Sequence, residues 1–141
     1  MKYVIDCSTA FKWVVAEPHT PKAVRLRDDY LNSVVDLLAP DLFPTEIGNA
    51  LLIAERRGRI GIGEGAIFFA DVLKTLPTLY HAIPLLPRAY AIAYRHQASV
   101  YDCLYVVLAE REQCEFITAD DKLVQKLNIA FPFVVALSSL P

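Results

Sequence analysis

The sequence predicts an α/β fold in which helices cover both faces of a central, mainly parallel, five-stranded sheet. Five short apolar runs rich in β-branched residues show little polar alternation, which is typical of parallel strands buried on both faces. Segments with apolar residues at helical spacing separate these runs, and no repeat, linker or low-complexity tract interrupts the alternation. We therefore expect one three-layer α/β/α sandwich, formed by a single domain over residues 1–141.

Local signals place the elements along the chain. The predicted strands are KYVIDC (2–7), VDLLAP (35–40), YHAIPLL (80–86), CEFITAD (114–120) and PFVVAL (132–137). Thr20 and Thr45 are the expected caps of the second and third helices, and Pro87 opens the fifth. The predicted helices cover 10–15, 20–34, 45–58, 63–77, 87–97, 100–113 and 121–127.

Composition excludes several classes of protein. The longest uncharged stretch, residues 128–141, is shorter than the roughly 18 apolar residues of a bilayer span and contains Pro132. Asp6 interrupts the apolar N-terminus and no cleavage signal follows, so we expect a cytoplasmic protein. The three cysteines form no C-x-x-C pair, which argues against a disulfide framework and a zinc site. A hydrophobic fraction of 55% predicts that some apolar surface meets a partner, with the third and fourth helices as candidates.

Four acidic residues occupy related positions in the predicted sheet. Asp6 ends the first strand, Glu46 opens the helix after the second, Asp102 opens the helix before the fourth, and Asp120 ends the fourth. Each alone has an ordinary structural explanation, as a strand end, a helix cap or a turn residue. All four positions face the carboxyl edge of a parallel sheet, where ligands bind. Crowded carboxylates repel unless a cation intervenes, so the sequence predicts a Mg²⁺ or Mn²⁺ site.

Polar residues beside these acids are expected to support them. Ser8 and Thr118 each lie two positions from an acid, so their hydroxyls can share its face and hold waters or phosphate oxygens. Asn49 follows Glu46 by about one helical turn, and its amide could fix that carboxylate. Asp121 is counted with the supporting residues, and we expect it to serve mainly as a helix cap.

The acidic segments resemble the four motifs of PIN-domain ribonucleases, particularly VapC-type toxins of bacterial toxin–antitoxin pairs. The segments are YVIDCSTAFKWVV, APDLFPTEIGNALL, VYDCLYVVLAE and FITADDKL, which together span nearly the whole chain. The resemblance implies a sheet ordered 3-2-1-4-5, an endoribonuclease that requires one or two Mg²⁺ or Mn²⁺ ions, a homodimer and a small antitoxin. It assigns the acidic quartet to Asp6, Glu46, Asp102 and Asp120.

The chemistry expected from these residues is hydrolysis of an RNA phosphodiester by metal-activated water. Guidance of the RNA would fall to cations, for which the candidates are Lys12, Arg56, Arg57 and Lys122, although solvated helix charge also explains them. The three histidines have no partners at a recognisable spacing and are expected to be structural.

Other function classes stay open at this point. An aspartyl phosphatase would want a second acid two residues after the first, where this chain has Ser8. A non-toxin nuclease of RNA processing and a non-catalytic binding module with the same fold remain as alternatives.

Overall fold

Short apolar segments form a five-stranded sheet in the computed structural model, which describes residues 1–141. Neighbouring strands pair in the order β3-β2-β1-β4-β5, and every pair is parallel. This confirms the predicted α/β class and the strand order that the resemblance implied. The strands are β1 (Lys2–Ile5), β2 (Asp36–Pro40), β3 (Thr78–Tyr80), β4 (Glu115–Thr118) and β5 (Val134–Ala136).

Seven α-helices connect and cover the strands in a three-layer α/β/α arrangement, and no helix has the length and apolar character needed to cross a membrane. Two short 3₁₀ turns, Ile83–Leu85 and Leu137–Ser139, complete the chain. The α-helices are α1 (Cys7–Phe11), α2 (Thr20–Leu31), α3 (Phe43–Arg56), α4 (Glu64–Leu73), α5 (Leu86–His96), α6 (Val100–Glu112) and α7 (Asp121–Leu127).

The core is centred on β1 and α6. Consecutive residues Val4 and Ile5 of β1 are both fully buried, as expected for a strand covered on both faces. The seven consecutive residues from Cys103 to Ala109 are also buried, so α6 is enclosed on all sides. It packs against β1, β2 and β4 on one side and against α5 on another. This buried helix therefore brings its first turn, with Asp102, to a fixed place beside the central strands.

The predicted caps of α2 and α3, Thr20 and Thr45, do not cap these helices. His19, in the left-handed region at φ 68°, precedes α2, and the hydroxyl of Thr20 accepts from the Glu17 N–H at 2.9 Å instead of capping the helix. Helix α3 begins at Phe43, two residues before Thr45, because Pro44 suits a first helical turn and needs no N–H partner there. Glu46 stays in the first turn of α3 despite this shift.

The third strand is shorter and earlier than predicted. The sequence placed it over YHAIPLL, residues 80–86, but β3 covers Thr78–Tyr80 and a 3₁₀ turn follows from Ile83. Pro84 has no N–H to give to a strand ladder, whereas it fits the first positions of a 3₁₀ turn. As a result, the apolar residues after Tyr80 lead into α5 rather than extending the sheet edge.

Candidate active site

Asp6 lies directly after β1 and caps α1. Its side chain is 6% exposed and accepts from the Thr9 N–H at 3.3 Å. Because this cap forms, α1 begins at Cys7, whereas the sequence predicted a start at residue 10. The hydroxyls of Ser8 and Thr118 each donate to Asp6 at 2.6 Å, one to each carboxylate oxygen. Three donors therefore hold Asp6 in one orientation.

The two hydroxyls also join the ends of β1 and β4. The oxygens of Ser8 and Thr118 lie 3.2 Å apart. Ser8 Oγ accepts from the Ala119 N–H at 3.0 Å, and Thr118 Oγ1 accepts from the Asp120 N–H at 3.1 Å. The sequence suggested waters or phosphate oxygens as their partners, but in the structure both hydroxyls bind the Asp6 carboxylate.

Glu46, in the first turn of α3, accepts from the hydroxyl of Tyr105 at 2.6 Å. Tyr105 belongs to α6 and is 1% exposed, whereas Glu46 is half-buried, so this hydrogen bond joins two helices at the edge of the core. The sequence suggested Asn49 for this role, but Asn49 is exposed and the bond comes from Tyr105 instead. Tyr105 was absent from the predicted site. Its only signal is a position three residues after Asp102, on the same helix face.

Asp102 and Asp120 lie at the starts of α6 and α7. Ser99, and not Asp102, caps α6, because its hydroxyl accepts from the Asp102 N–H at 3.0 Å. Asp120 caps α7 by accepting from the Leu123 N–H at 3.1 Å. The predicted cap at Asp121 is therefore wrong, since Asp121 is the first helical residue and is exposed.

The four acids of the predicted quartet repel one another, and Asp102 links the group. Burial raises the pKa of Asp6 to about 6, and the charge of Asp102 adds to the increase, against the effect of the hydrogen bonds to Asp6. Burial also raises the pKa of Glu46, with the Asp102 charge acting in the same direction and the Tyr105 hydrogen bond opposing it. Burial raises the pKa of Asp102, where the Asp120 charge contributes again. The fold thus draws all four into one electrostatic group.

No ion pair neutralises this acidic group, because the six ion pairs of the molecule join other residues. Lys126 lowers the pKa of Asp102 by its charge, but its ammonium group donates to the Gln97 carbonyl at 3.0 Å. No three His, Cys, Asp or Glu side chains lie close enough to hold one metal ion together. The acids are therefore neighbours that do not yet converge on a single point.

The cations expected to guide RNA lie in different surroundings. Lys12 is 9% exposed and pairs with Glu17 at 3.2 Å, and Glu17 also pairs with Arg59. Lys12 is therefore not the solvated helix charge that was one explanation of it, and its ammonium group is already engaged by Glu17. The other three expected cations are exposed and form no ion pair, namely Arg56, Arg57 and Lys122.

The three histidines lie in structural or surface positions. His19 precedes α2, and His81 is exposed beside Asp41, with 3.5 Å between Nδ1 and Oδ2. The ring of His96 packs edge-on against Phe131, with 5.5 Å between centroids. This agrees with the expectation that no histidine serves the acidic group.

Comparison with known proteins gives a family match over most of the chain. A family model described as the PIN domain matches residues 3–127. Ribonuclease VapC3 of Pyrobaculum aerophilum is 29% identical over 137 residues, which cover 96% of this chain and 98% of that protein. Ribonuclease VapC9 of Mycobacterium tuberculosis is 29% identical over 125 residues, which cover 86% of this chain and 97% of that protein.

Two solved structures share the fold. PAE2754 from Pyrobaculum aerophilum superposes with a TM-score of 0.69 at 22% identity, over 99% of this chain and 94% of its own. VapC20 of Mycobacterium tuberculosis, described as a Sarcin-Ricin loop cleaving toxin, superposes with a TM-score of 0.60 at 16% identity, over 83% of this chain and 87% of its own. At these identities the two structures support the three-layer fold.

Proposed function

Because this chain belongs to the PIN-domain family, we propose that it is a Mg²⁺- or Mn²⁺-dependent endoribonuclease. We further propose that it is the toxin of a type II toxin–antitoxin pair, with RNA as its substrate, a small antitoxin as its protein partner and a homodimer as its assembly. The relatives named ribonuclease VapC, which match nearly from end to end, support the ribonuclease and toxin assignments.

The observation that carries the proposal is the uncompensated acidic group at the carboxyl edge of the sheet. Burial and mutual repulsion raise the pKa of Asp6, Glu46 and Asp102, and no Lys, Arg or His side chain forms an ion pair with any of these acids or Asp120. Such an arrangement costs stability unless a cation offsets it. A purely structural or protein-binding module would gain nothing from this cost.

The donor atoms fit a hard divalent cation. Asp6, Glu46, Asp102 and Asp120 offer carboxylate oxygens, and one or two carboxylates with several waters suffice for Mg²⁺. Pairs of these acids can therefore hold one or two ions although no three converge on one point. When bound, the cation supplies an activated water and neutralises the charge of the scissile phosphate.

The residues around the acids keep them ionised and oriented. Ser8 and Thr118 donate to Asp6, and Tyr105 donates to Glu46, and each of these bonds favours the charged carboxylate. The Ser8 hydroxyl donates to Asp6 and accepts from the Ala119 N–H, so it links the acid to the end of β4. The proposed reaction is hydrolysis by water, without a covalent intermediate on the protein.

Metal dependence and the catalytic group are tested together by RNA cleavage. We expect a single-stranded RNA to be cut in the presence of Mg²⁺ or Mn²⁺ and to stay intact in EDTA. Asp6→Asn and Asp102→Asn should each lower the cleavage rate by about 10³-fold or more while the protein still unfolds in one cooperative melting transition. Asp41→Asn is the matched control, because Asp41 follows β2 as Asp6 follows β1 but is exposed beside His81. Full activity of Asp102→Asn would refute the assignment.

The toxin role is tested separately. A short gene next to that of this chain, whose product binds the chain and inhibits cleavage, would establish the pair. A chain that cleaves RNA without such a neighbour would instead be a nuclease of RNA processing, the alternative left open by the sequence.

A further inference from the structure

A cleft of about 380 Å³ adjoins the acidic group between α1 and α3. Cys7 and Ser8, the two residues after Asp6, form one end of it together with Ala119, the residue before Asp120. The Ser8 hydroxyl lies between the cleft and the Asp6 carboxylate, to which it donates at 2.6 Å. A ligand in the cleft would therefore sit directly beside the proposed reaction site.

One wall of this cleft is apolar. Phe11 of α1 faces Ala50, Ile53 and Ala54 of α3 across it. Ile53 is 36% exposed, although it stands on a helix whose other large aliphatic residues include the buried Ile47 and Leu51. The volume of the cleft falls in the range of about 300–1,000 Å³ typical of small-molecule sites. Phe11 and Ala54 are buried, at 7% and 3% exposed, so Ile53 is the large apolar side chain of this wall that a ligand can reach.

The cleft also carries positive charge. Lys12, Arg57 and Arg59 line the cleft with a single carboxylate, Glu17, which leaves a formal excess of two positive charges. The Arg59 guanidinium lies 5.5 Å from the centre of the Phe11 ring and pairs with Glu17, so its position is defined. Arg57 is exposed and has no ion-pair partner. This charge is opposite in sign to that of the neighbouring acids.

We propose that the cleft binds one nucleotide of the RNA next to the scissile phosphodiester. Its base lies against Ile53, and its phosphate is bound by Arg57. The proposal rests on the ribonuclease function of the adjacent acids. A simple anion would leave the apolar wall unused, and an apolar peptide would leave the positive charge unused, whereas a nucleotide satisfies both. The cleft would also offset the repulsion that the acids exert on RNA.

The phosphate contact is tested by comparing Arg57→Ala with Arg25→Ala. Arg25 of α2 is also exposed and forms no ion pair, but it does not line the cleft. In EDTA, where no cleavage occurs, anisotropy of a labelled single-stranded RNA should show about 5-fold weaker binding for Arg57→Ala, with a salt slope smaller by about one. Arg25→Ala should bind as the unmodified chain does. Equal binding by the two variants would overturn the phosphate contact.

The base contact is tested by comparing Ile53→Ser with Leu52→Ser. Leu52 is also exposed on α3, at 44%, but lies outside the cleft. Ile53→Ser should weaken binding of RNA several-fold and leave binding of an abasic oligonucleotide of the same length unchanged, whereas Arg57→Ala should weaken both. Equal losses for the two oligonucleotides in Ile53→Ser would overturn the base contact.

Failure of this proposal can be told apart from failure of the proposed function. If the unmodified chain cleaves RNA but all four variants bind RNA alike, the acids are catalytic and the cleft is not a nucleotide site. If in addition Arg57→Ala and Ile53→Ser weaken binding of the antitoxin alone, the cleft belongs to a protein partner and the nucleotide proposal is overturned. If the unmodified chain does not cleave RNA, the proposed function itself fails.

Discussion

Tyr105 affects the geometry of the acidic group without contributing to its charge. It carries no charge, it is buried, and its one polar contact is the 2.6 Å hydrogen bond to Glu46. Residues that orient metal ligands in this way typically contribute 10- to 100-fold to metal affinity or activity. Under the proposed function Tyr105 is a positioning residue, and its removal should leave all four carboxylates in place but Glu46 free to rotate.

We predict that Tyr105→Phe lowers kcat about 10-fold and raises the Mg²⁺ concentration for half-maximal activity by a similar factor, with little change in KM for RNA. Steady-state cleavage over a Mg²⁺ titration measures all three. Tyr101→Phe is the control, because Tyr101 lies one turn earlier on α6 and is 65% exposed. An unchanged Mg²⁺ requirement in Tyr105→Phe would contradict the positioning role.

Burial of the Asp6 carboxylate lowers the stability of the folded protein at neutral pH. Its pKa in the folded protein is about 6, above the ordinary value of 3.8. The contribution of the Asp6 carboxyl to the free energy of unfolding is therefore fully present below pH 3.8, where the group is protonated. It is lost as the pH rises through 6, because the buried carboxylate must then ionise. The difference corresponds to about 3 kcal/mol at most.

We predict that Asp6→Asn, although inactive, melts at a higher temperature than the unmodified chain in EDTA at pH 7.5. The advantage should shrink as the pH falls from 6 to 4, since the carboxyl of Asp6 is then protonated. Thermal melts in EDTA between pH 4 and 8 measure this difference. A variant that is less stable at pH 7.5 would show that the three hydrogen bonds to Asp6 outweigh its burial.

The residues that carry charge could be predicted, and those that orient them could not. Asp6 and Asp120 stand at predicted strand ends, and Glu46 and Asp102 open predicted helices, so the sequence pattern pointed to all four before the resemblance assigned them to one quartet. Tyr105 and Glu46 are 59 positions apart, and no local pattern links a tyrosine inside a buried helix to an acid on another helix. Asn49 was the local choice for Glu46, and local spacing alone could not show that it points to solvent.

At the scale of elements, the starts of the helices decide where the acids lie. Ser99 begins α6 and fixes the turn that carries Asp102, while Asp6 and Asp120 act as caps themselves. Asp6 and Asp120 thus each cap a helix with the same side chain that is a catalytic acid in the proposed function. This is why a capping role and a site role could not be separated from the sequence.

We predict that Ser99→Ala destabilises the protein by about 1 kcal/mol, because the Asp102 N–H loses its partner. Cleavage should fall as well, since the first turn of α6 holds Asp102. Thr45→Ala is the control, because Thr45 was the predicted cap of α3 but is exposed inside its first turn. Chemical denaturation measures both variants, and equal stabilities for the two would contradict the cap at Ser99.

Strand prediction succeeded where burial was strong and failed at the sheet edge. The central runs around Val4, Leu38 and Phe116 pair in register, and all three residues are buried. The edge strand β3 has only three residues and pairs on one side, so its sequence carries little signal. The longer apolar run after Tyr80 instead forms a 3₁₀ turn at Pro84.

At the scale of the whole molecule, parallel pairing explains how acids far apart in the chain become neighbours. With β1 between β2 and β4, the carboxyl ends of three central strands meet at one edge. The same topology leaves α4 and α5 on the outside. The sequence named the third and fourth helices as candidates for a dimer contact; α3 buries Ile47 and Leu51 in the core, and α3 and α4 expose Leu52 and Ile67. Exposed aromatic surface is instead prominent on α5.

The homodimer of the proposed function should therefore involve α5, where Tyr90 and Tyr94 are 65% and 82% exposed one turn apart. Aromatic residues at this spacing are typical of protein interfaces.

Light scattering after gel filtration should give twice the monomer mass of 15.8 kDa for the unmodified chain. Tyr94→Glu should shift this to the monomer mass, because a buried charge opposes association. Ile129→Glu, at an isolated residue that is 91% exposed, should remain a dimer. If Tyr94→Glu is still a dimer, α5 is not the contact. The next face to test would then be α4, where Ile67 is exposed.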